Sequence, residues 1–285
     1  MKKTKRAALI LFLLLSSFSL SFGIEVSLKL SGGLSSLKLN DINRSLKDWE
    51  ELWKNMTLSM DDWEFAGGGA RKINIGYDFE GEIMVSLSSR FAASFGVGLI
   101  YGELAEEKIE VFIDTDSGTS SITRPTKVNA RPLTLSGYFF YPLGKKLDVF
   151  VKGGAGLIWA KYIEREGGKS LTANTYDYWW HQQASAQSPV FLGGLGIVYR
   201  IDSSLGFFIE GGARWAKISG FQGDTPEGKE GDLYFFEEYD SDFDFWHAKY
   251  LILAEEPTGD NFRSVKKAVV DFSGFSAKIG LLIKF

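Results

Sequence analysis

The chain has 285 residues, a formal net charge of −4, 15% aromatic residues, 32 glycines and no cysteine. The lack of cysteine excludes disulfides and a lipid-modified N-terminal cysteine, so packing and hydrogen bonds must supply the stability. A mildly acidic chain is also a poor candidate for nucleic-acid binding, because contacts to phosphate need clustered lysine and arginine.

The first 23 residues have the pattern of a secretory signal peptide. Four basic residues within the first six precede an uncharged stretch from Ala7 to Phe22, and Gly23 is a small residue before the expected cut. This stretch is shorter than the ~20 residues of a membrane-spanning helix, so cleavage is favoured over an uncleaved anchor. The mature domain would cover 24–285, with 28 basic and 36 acidic residues and a net charge of −8.

Eight segments of the mature chain alternate apolar and polar residues. A period of two is typical of a β-strand with one apolar face. In the second segment, Ile75, Tyr77 and Phe79 alternate with polar residues and glycine. The predicted strands run over about 24–39, 72–87, 91–104, 128–141, 147–163, 189–201, 205–218 and 267–285.

The connections between these strands alternate in length. Three are short, around Ser89, Gly144 and Ser203. The four long connections cover 40–71, 105–127, 164–188 and 219–266. Short turns on one side and long loops on the other are typical of outer-membrane barrels, which in bacteria have even strand numbers. The sequence therefore predicts an all-β, eight-stranded antiparallel up-and-down transmembrane barrel with long external loops.

The last strand, FSAKIGLLIKF, ends on an aromatic residue. Lys278, Gly280, Ile283 and Phe285 resemble the insertion signal of bacterial outer-membrane barrels; an edge strand of a soluble sheet is the alternative. With the leader and the alternating connections, the mature chain resembles small outer-membrane proteins of the OmpA, OmpX and OmpW type. The resemblance implies a monomer in the outer membrane with both termini in the periplasm. It also implies insertion by the barrel-assembly machinery and contact with outer-membrane lipids and lipopolysaccharide.

If the apolar faces contact lipid, charged residues on the opposite faces line the interior. This assignment gives five acidic and five basic residues, namely Glu25, Lys29, Asp78, Glu80, Glu82, Lys152, Arg200, Glu210, Arg214 and Lys278. Side chains fill the interior of an eight-stranded barrel, and buried charges are costly unless paired. We therefore predict a packed network of ion pairs, with a charged pore as the alternative.

The first long loop contains a predicted helix. Ile42, Leu46, Trp49 and Trp53 recur at spacings of three and four residues, and Asp41 is the expected N-cap. The helix would cap the barrel mouth, lie among lipopolysaccharide headgroups or contact a partner.

The third and fourth long loops combine aromatic with acidic residues. The candidate recognition residues are Trp179, Trp180, His181, Tyr234, Phe236, Trp246 and His247. Exposed aromatic residues suit recognition of a glycan, a cation or a protein surface. Alternatively, these residues pack on each other in a β-ribbon that extends the barrel. No metal site or cofactor is expected.

The function predicted from the sequence is a structural, adhesive or surface-recognition role of the external loops. One alternative is a conduit for small apolar molecules, which would need an apolar lumen near the top and a lateral opening. The other is a lipid or peptide hydrolase in the outer leaflet, with His181 or His247 beside a carboxylate or serine at the rim. Neither histidine lies in a recognisable hydrolase motif, so an enzyme is not expected.

Overall fold

The computed structural model describes residues 25–115, 118–170, 175–225 and 228–285. The predicted signal peptide therefore lies outside the described residues. Within the described part of the chain, no helix is long and apolar enough to cross a bilayer.

The described elements follow one another in chain order. They are β1 (Val26–Ser36), α1 (Asn40–Ser59), β2 (Trp63–Ala70), β3 (Ile75–Ser86), β4 (Phe91–Leu104), a 3₁₀ turn (Glu106–Lys108), β5 (Ile109–Thr115), β6 (Gly118–Thr123), β7 (Thr126–Pro142), β8 (Leu147–Ser170), β9 (Thr175–Arg200), β10 (Leu205–Trp215), β11 (Lys217–Ser219), β12 (Gln222–Asp224), β13 (Glu230–Asp240), β14 (Phe245–Leu253), β15 (Phe262–Lys267), β16 (Val269–Asp271) and β17 (Gly274–Lys284).

Eight of the strands in the described residues close into a ring. The order around it is β1-β3-β4-β7-β8-β9-β10-β17, and every neighbouring pair is antiparallel. The strand β17 then pairs back to β1, from Ser27 opposite Lys284 to Ser35 opposite Ser276. The predicted eight-stranded up-and-down barrel is confirmed.

The long connections contain more structure than the sequence predicted. The strands β8 and β9 continue as one hairpin through most of the predicted loop 164–188, and they pair as far as Ser170 opposite Thr175. Other predicted loops contain β2, β5 and β6, and also β12 to β14 and nearly all of β15. Strands can extend beyond the bilayer because their backbone hydrogen bonds do not depend on lipid.

The outer face of the ring carries a continuous apolar band. Leu195 in β9 is 65% exposed, and Phe191 and Ile197 on the same face are also exposed. The outward positions become polar at Arg131 and Gln187. About ten tilted residues of each strand lie within this band, which corresponds to a height of ~25 Å. Side chains of this kind would point inward in a soluble barrel, so the structure is that of a transmembrane β-barrel.

Aromatic and aliphatic side chains fill the end of the lumen next to the short turns. We call this layer the apolar plug; it comprises Met84, Ala92, Tyr138, Phe150, Val198, Phe208 and Leu282. Two glycines make room for its rings. A Cβ atom on Gly196 would lie 2.5 Å from Phe150 Cζ, and one on Gly280 would lie 2.6 Å from Phe208 Cζ. Glycine is therefore required where these rings lie against the neighbouring strand.

Beyond the membrane, β8 and β9 continue the same sheet into an external part with the order β2-β5-β6-β8-β9-β12-β13-β14. The helix α1 contacts both of its edge strands, β2 and β14. Ala70 N of β2 donates to Glu50 Oε2 at 2.8 Å, and Ala248 N of β14 donates to Asp48 Oδ2 at 2.9 Å. Two carboxylates of α1 thus satisfy edge groups that would otherwise be open to another chain.

The buried face of α1 covers the mouth of the barrel. Ile42 and Leu46 belong to the same hydrophobic cluster as Ile158 and Val190 of the barrel strands. The predicted N-cap is wrong, because the capping position is Leu39, which makes no side-chain cap. Asp41 lies in the first turn, where its charge complements the helix dipole.

Candidate functional site

Eight of the ten charged residues assigned to the interior meet in one layer above the apolar plug. We call it the lumen charge cluster; it consists of Lys29, Asp78, Glu80, Glu82, Lys152, Glu210, Arg214 and Lys278. Four acids face four bases, so the layer has no formal net charge. All eight side chains are buried or nearly so.

Glu82 is the most connected residue of this cluster. Its carboxylate lies 2.8 Å from Lys29 Nζ and 3.0 Å from Lys152 Nζ. It also accepts hydrogen bonds from Tyr138 Oη at 2.7 Å and Ser94 Oγ at 2.6 Å. Buried carboxylates of this kind are tolerated only when the surrounding groups pair with them and donate to them.

Lys29 joins the charge cluster to the apolar plug. Its Nζ bonds to Glu210 Oε2 at 2.5 Å. The same ammonium lies 5.3 Å from the ring centre of Tyr138 and 4.7 Å from that of Phe208. Cation–π contacts of this type strengthen when water is excluded. The charged layer and the aromatic layer are therefore one packed unit.

The other two charged residues, Glu25 and Arg200, lie outside the cluster, which corrects their assignment to the interior network. Glu25 pairs with Lys284 and Arg200 pairs with Asp148. Both lie at strand ends and line an open vestibule of about 560 Å³ on the short-turn side. Water reaches their side chains there because the plug begins only deeper in the lumen.

The space left among the lumen charges is small. A cavity of about 40 Å³ lies between Asp78, Glu80, Arg214 and Lys278. Its volume is that of about one water molecule. The described side chains therefore fill the lumen with an apolar layer, a charged layer and the hydrophobic cluster below α1.

A cleft opens on the external side, between α1 and the β8–β9 hairpin. We call it the outer cleft; it has a volume of about 340 Å³ and is lined by Trp49, Leu52, Trp53, Arg124, Glu166, Trp179, Trp180, Lys249 and Leu251. Four of its nine lining residues are tryptophans. A small concave site with mainly apolar walls and a few polar groups is the usual form of a ligand site.

A β-bulge brings two consecutive tryptophans to the cleft. Trp180 lies opposite Glu166 and Tyr178 lies opposite Gly167, so Trp179 is the extra residue in β9. Consecutive residues of a regular strand point to opposite faces, whereas a bulge changes the direction of a side chain. The ring of Trp179 lies over Gly168, where an added Cβ would come within 3.0 Å of its Cζ3 atom.

The charged groups of the outer cleft are already paired with protein groups. Arg124 donates through Nε and Nη2 to Glu164, at 2.9 and 3.2 Å. Burial opposes the charged form of Arg124, but Glu164 and Glu166 outweigh it and raise the pKa. Lys249 pairs with Glu238. Glu166 accepts a hydrogen bond from Trp49 Nε1 at 3.0 Å.

Only two of the seven predicted recognition residues, Trp179 and Trp180, line the outer cleft. His181 is exposed on the outer face of β9. Tyr234, Phe236 and His247 are buried, so their prediction as surface residues is corrected. Phe236 packs on Phe262, and Trp246 packs on Tyr239, as expected for the alternative of a ribbon with mutually packed aromatics.

Several cleft residues were not predicted as site residues. Trp49 and Trp53 were assigned to the apolar face of the helix, and Arg124, Glu166 and Lys249 were not singled out. They come from separate segments that meet only in the tertiary structure. The tryptophan pair Trp179–Trp180 was the one local signal for the position of this site.

The residues that resemble an insertion signal also have structural contacts. Lys278 pairs with Asp78 and Glu80, both at 3.0 Å, and Gly280 accommodates the ring of Phe208. Phe285 N donates to Val26 O at 3.0 Å, which extends the pairing of β17 with β1.

No protein-family model matches the sequence, and no curated protein matches it. Among solved structures, the chain is similar to neisserial surface protein A, with 8% identity, 92% of this chain and 97% of that chain covered, and a TM-score of 0.38. OprG from Pseudomonas aeruginosa has 10% identity, coverages of 92% and 96%, and a TM-score of 0.41. The Escherichia coli outer-membrane protease OmpT has 10% identity, coverages of 92% and 96%, and a TM-score of 0.35. These similarities concern the general architecture and carry no information about ligand or activity.

Proposed function

We propose that this protein is an outer-membrane surface protein that recognises an extracellular ligand through the outer cleft. The observation that carries the proposal is the contrast between the two ends of the barrel. Side chains close the lumen, whereas the external half is an ordered sheet with a tryptophan-lined cleft. In this arrangement the short turns and both termini face the periplasm.

Transport through the barrel is the less favoured function. The upper lumen is apolar, as a conduit for small apolar molecules would need, but Ile158, Val190 and their neighbours fill it. The charge cluster and the apolar plug lie below them. Pore formation would require these packed layers to separate, and it would expose unpaired charges.

A hydrolase at the rim is also less favoured. His247 is 4% exposed, and neither of its ring nitrogens has a hydrogen-bond partner in the described part of the chain. Its Nε2 lies 3.7 Å from Glu238 Oε2, beyond hydrogen-bond length. A general base needs access to the water or hydroxyl that it activates.

The proposal can be tested with cells that display the protein. Their retention is measured on immobilised glycans, on phospholipid vesicles and on extracellular-matrix protein. We expect Trp179→Ala/Trp180→Ala to reduce retention on at least one surface by about tenfold, as loss of an aromatic anchor does. Trp246→Ala is the control, because this tryptophan lies in the external half but outside the outer cleft. Equal retention of the double variant and wild type on every surface would contradict the proposal.

We further propose that the barrel-assembly machinery recognises the end of β17 and that lipopolysaccharide surrounds the external rim. Phe285→Ala should therefore lower the amount of protein inserted in cells while leaving spontaneous folding into synthetic vesicles largely unchanged. Leu281→Ala is the control. Leu281 faces outward, whereas Leu282 belongs to the apolar plug. Equal insertion of Phe285→Ala and wild type in cells would count against a recognition role.

A further inference from the structure

We infer that the outer cleft binds a neutral saccharide, a step that rests on the proposed function and names its ligand class. A sugar ring has an apolar face of C–H groups and an edge of hydroxyl groups. The outer cleft presents the matching pair of surfaces, tryptophan rings and planar polar groups. The inference follows from the rings, the charges and the size of the site.

The two tryptophans of the bulge supply the stacking surface. Trp179 is 60% exposed, although large aromatic side chains are usually covered in a folded protein. The lack of a side chain at Gly168 lets its ring lie against the backbone of β8. A flat ring held from below loses little conformational freedom when a ligand stacks on it.

The charges of the outer cleft favour a neutral ligand. The guanidinium of Arg124 is already compensated by Glu164, and the ammonium of Lys249 by Glu238. An anion would meet the carboxylate of Glu166, and a cation would meet Arg124 and Lys249. Hydroxyl groups both donate and accept hydrogen bonds. They can therefore bond to a carboxylate, a guanidinium or an ammonium group without changing the charge balance of the cleft.

The size of the site agrees with a short saccharide. A volume of about 340 Å³ lies at the lower end of the range for small-ligand sites. The cleft is open toward the outside of the membrane, so one or two sugar units of a longer chain could be held while the rest extends into solution. The helix α1 forms one wall with Trp49 and Trp53, and the β8–β9 hairpin forms the other.

The test is calorimetric titration of the full-length protein in amine-oxide micelles, since sugar-based detergents would compete. The probes are cellotetraose and chitotetraose as neutral saccharides, tetragalacturonate as an anion and choline as a cation. We expect a neutral tetrasaccharide to bind and Trp179→Ala to weaken its binding by about tenfold or more. Trp179→Phe should retain most of the affinity, because it retains a flat ring.

Two further variants distinguish the effect of the Trp179 ring position on binding from a general effect on folding. Gly168→Val removes no tryptophan from the chain but displaces the ring of Trp179, so it should also weaken binding. Trp246→Ala should leave the affinity unchanged. Each variant is first checked for the shift in gel mobility on heating that folded barrels show.

The outcomes distinguish the ligand class from the proposed function. If neither neutral tetrasaccharide binds, or if Trp179→Ala and Gly168→Val leave binding unchanged, the saccharide inference is overturned. If tetragalacturonate or choline binds more tightly than the neutral probes and depends on Trp179, the ligand class is wrong but recognition by the outer cleft stands. If, in addition, cells that display the protein are retained on none of the three surfaces, the proposed function fails as well.

Discussion

At the scale of single residues, ion pairs between equal numbers of acidic and basic side chains stabilise the packed lumen. Removing one partner of a buried ion pair leaves an uncompensated charge, which costs more than the pair itself contributes. Glu82 has the most partners in the lumen charge cluster, since it faces two ammonium groups and accepts from two hydroxyls. It is therefore the position at which this effect should be largest.

We expect Glu82→Ala to lower the free energy of unfolding by about 3–5 kcal/mol. The variant leaves Lys29 and Lys152 with fewer carboxylate partners while both stay buried. The measurement is a denaturant titration of protein folded in lipid vesicles.

The matched control for Glu82→Ala is the double variant Glu82→Gln/Lys152→Met, which removes one charge of each sign. It should lose less stability than the sum of its two single variants, because the charge balance is restored. Strictly additive losses would contradict a coupled network.

At the scale of elements, α1 and β14 hold the external half together. Asp48 reaches the edge of β14, and Arg44 pairs with Glu237 of β13 at 2.7 Å. His247 lies beside these contacts on β14, with its imidazole buried. Burial and the charge of Lys249 lower the pKa of His247, and the opposing effect of Glu238 is smaller.

The lowered pKa of His247 predicts that the external half loses stability in acid. As pH falls below about 6.5, the unfolded chain gains a proton on His247 before the folded chain does. Stability should therefore fall as pH drops through about 6.5, by at most about 1.4 kcal/mol per pH unit for this one proton, until the pH is below the lowered pKa of the folded state. Hydrogen exchange of the backbone amides in β13 and β14 measures the effect.

His247→Gln should flatten this pH dependence, since it removes the group that titrates. His181→Gln is the matched control, because the sequence has only two histidines and the side chain of His181 is exposed. A pH dependence that survives in His247→Gln would place the titrating group elsewhere.

At the scale of the whole molecule, the two faces of one sheet meet different solvents. The outward face meets hydrocarbon within the band and water above it. The inward face meets packed side chains, except at the open vestibule on the short-turn side. The free-energy cost of placing a charged residue on the outward face should therefore depend on its height along the strand.

Leu195→Arg and Gln187→Arg test this dependence on the same face of β9. Leu195 lies within the apolar band, so the arginine should cost about 2–4 kcal/mol in a folding titration into vesicles. Gln187 lies above the band, so the same change there should cost about 1 kcal/mol or less. Equal costs at the two positions would contradict the assigned membrane boundary.

The sequence alone was sufficient for the barrel, because the information is local. A period of two in β3 or β4 marks a strand with one apolar face. Successive barrel strands pair along the chain, and the pairing of β17 with β1 closes the ring. The inward position of Lys29, Glu82 and Glu210 follows from the same parity. Parity could not show that Glu25 and Arg200 lie at open strand ends, since it carries no information on depth.

The external half depended on tertiary structure. The outer cleft joins α1, β8, β9 and β14, and no local pattern specifies which distant segments pack together. The position of Trp179 depends on the strand register, because the mismatch between Glu166 and Gly167 exists only when β8 and β9 are paired. Inside the membrane, the bilayer requires apolar and polar residues to alternate along every strand, so the strands can be recognised from the sequence. Outside the membrane, water is compatible with many arrangements of the external segments, and long-range packing alone selects one of them.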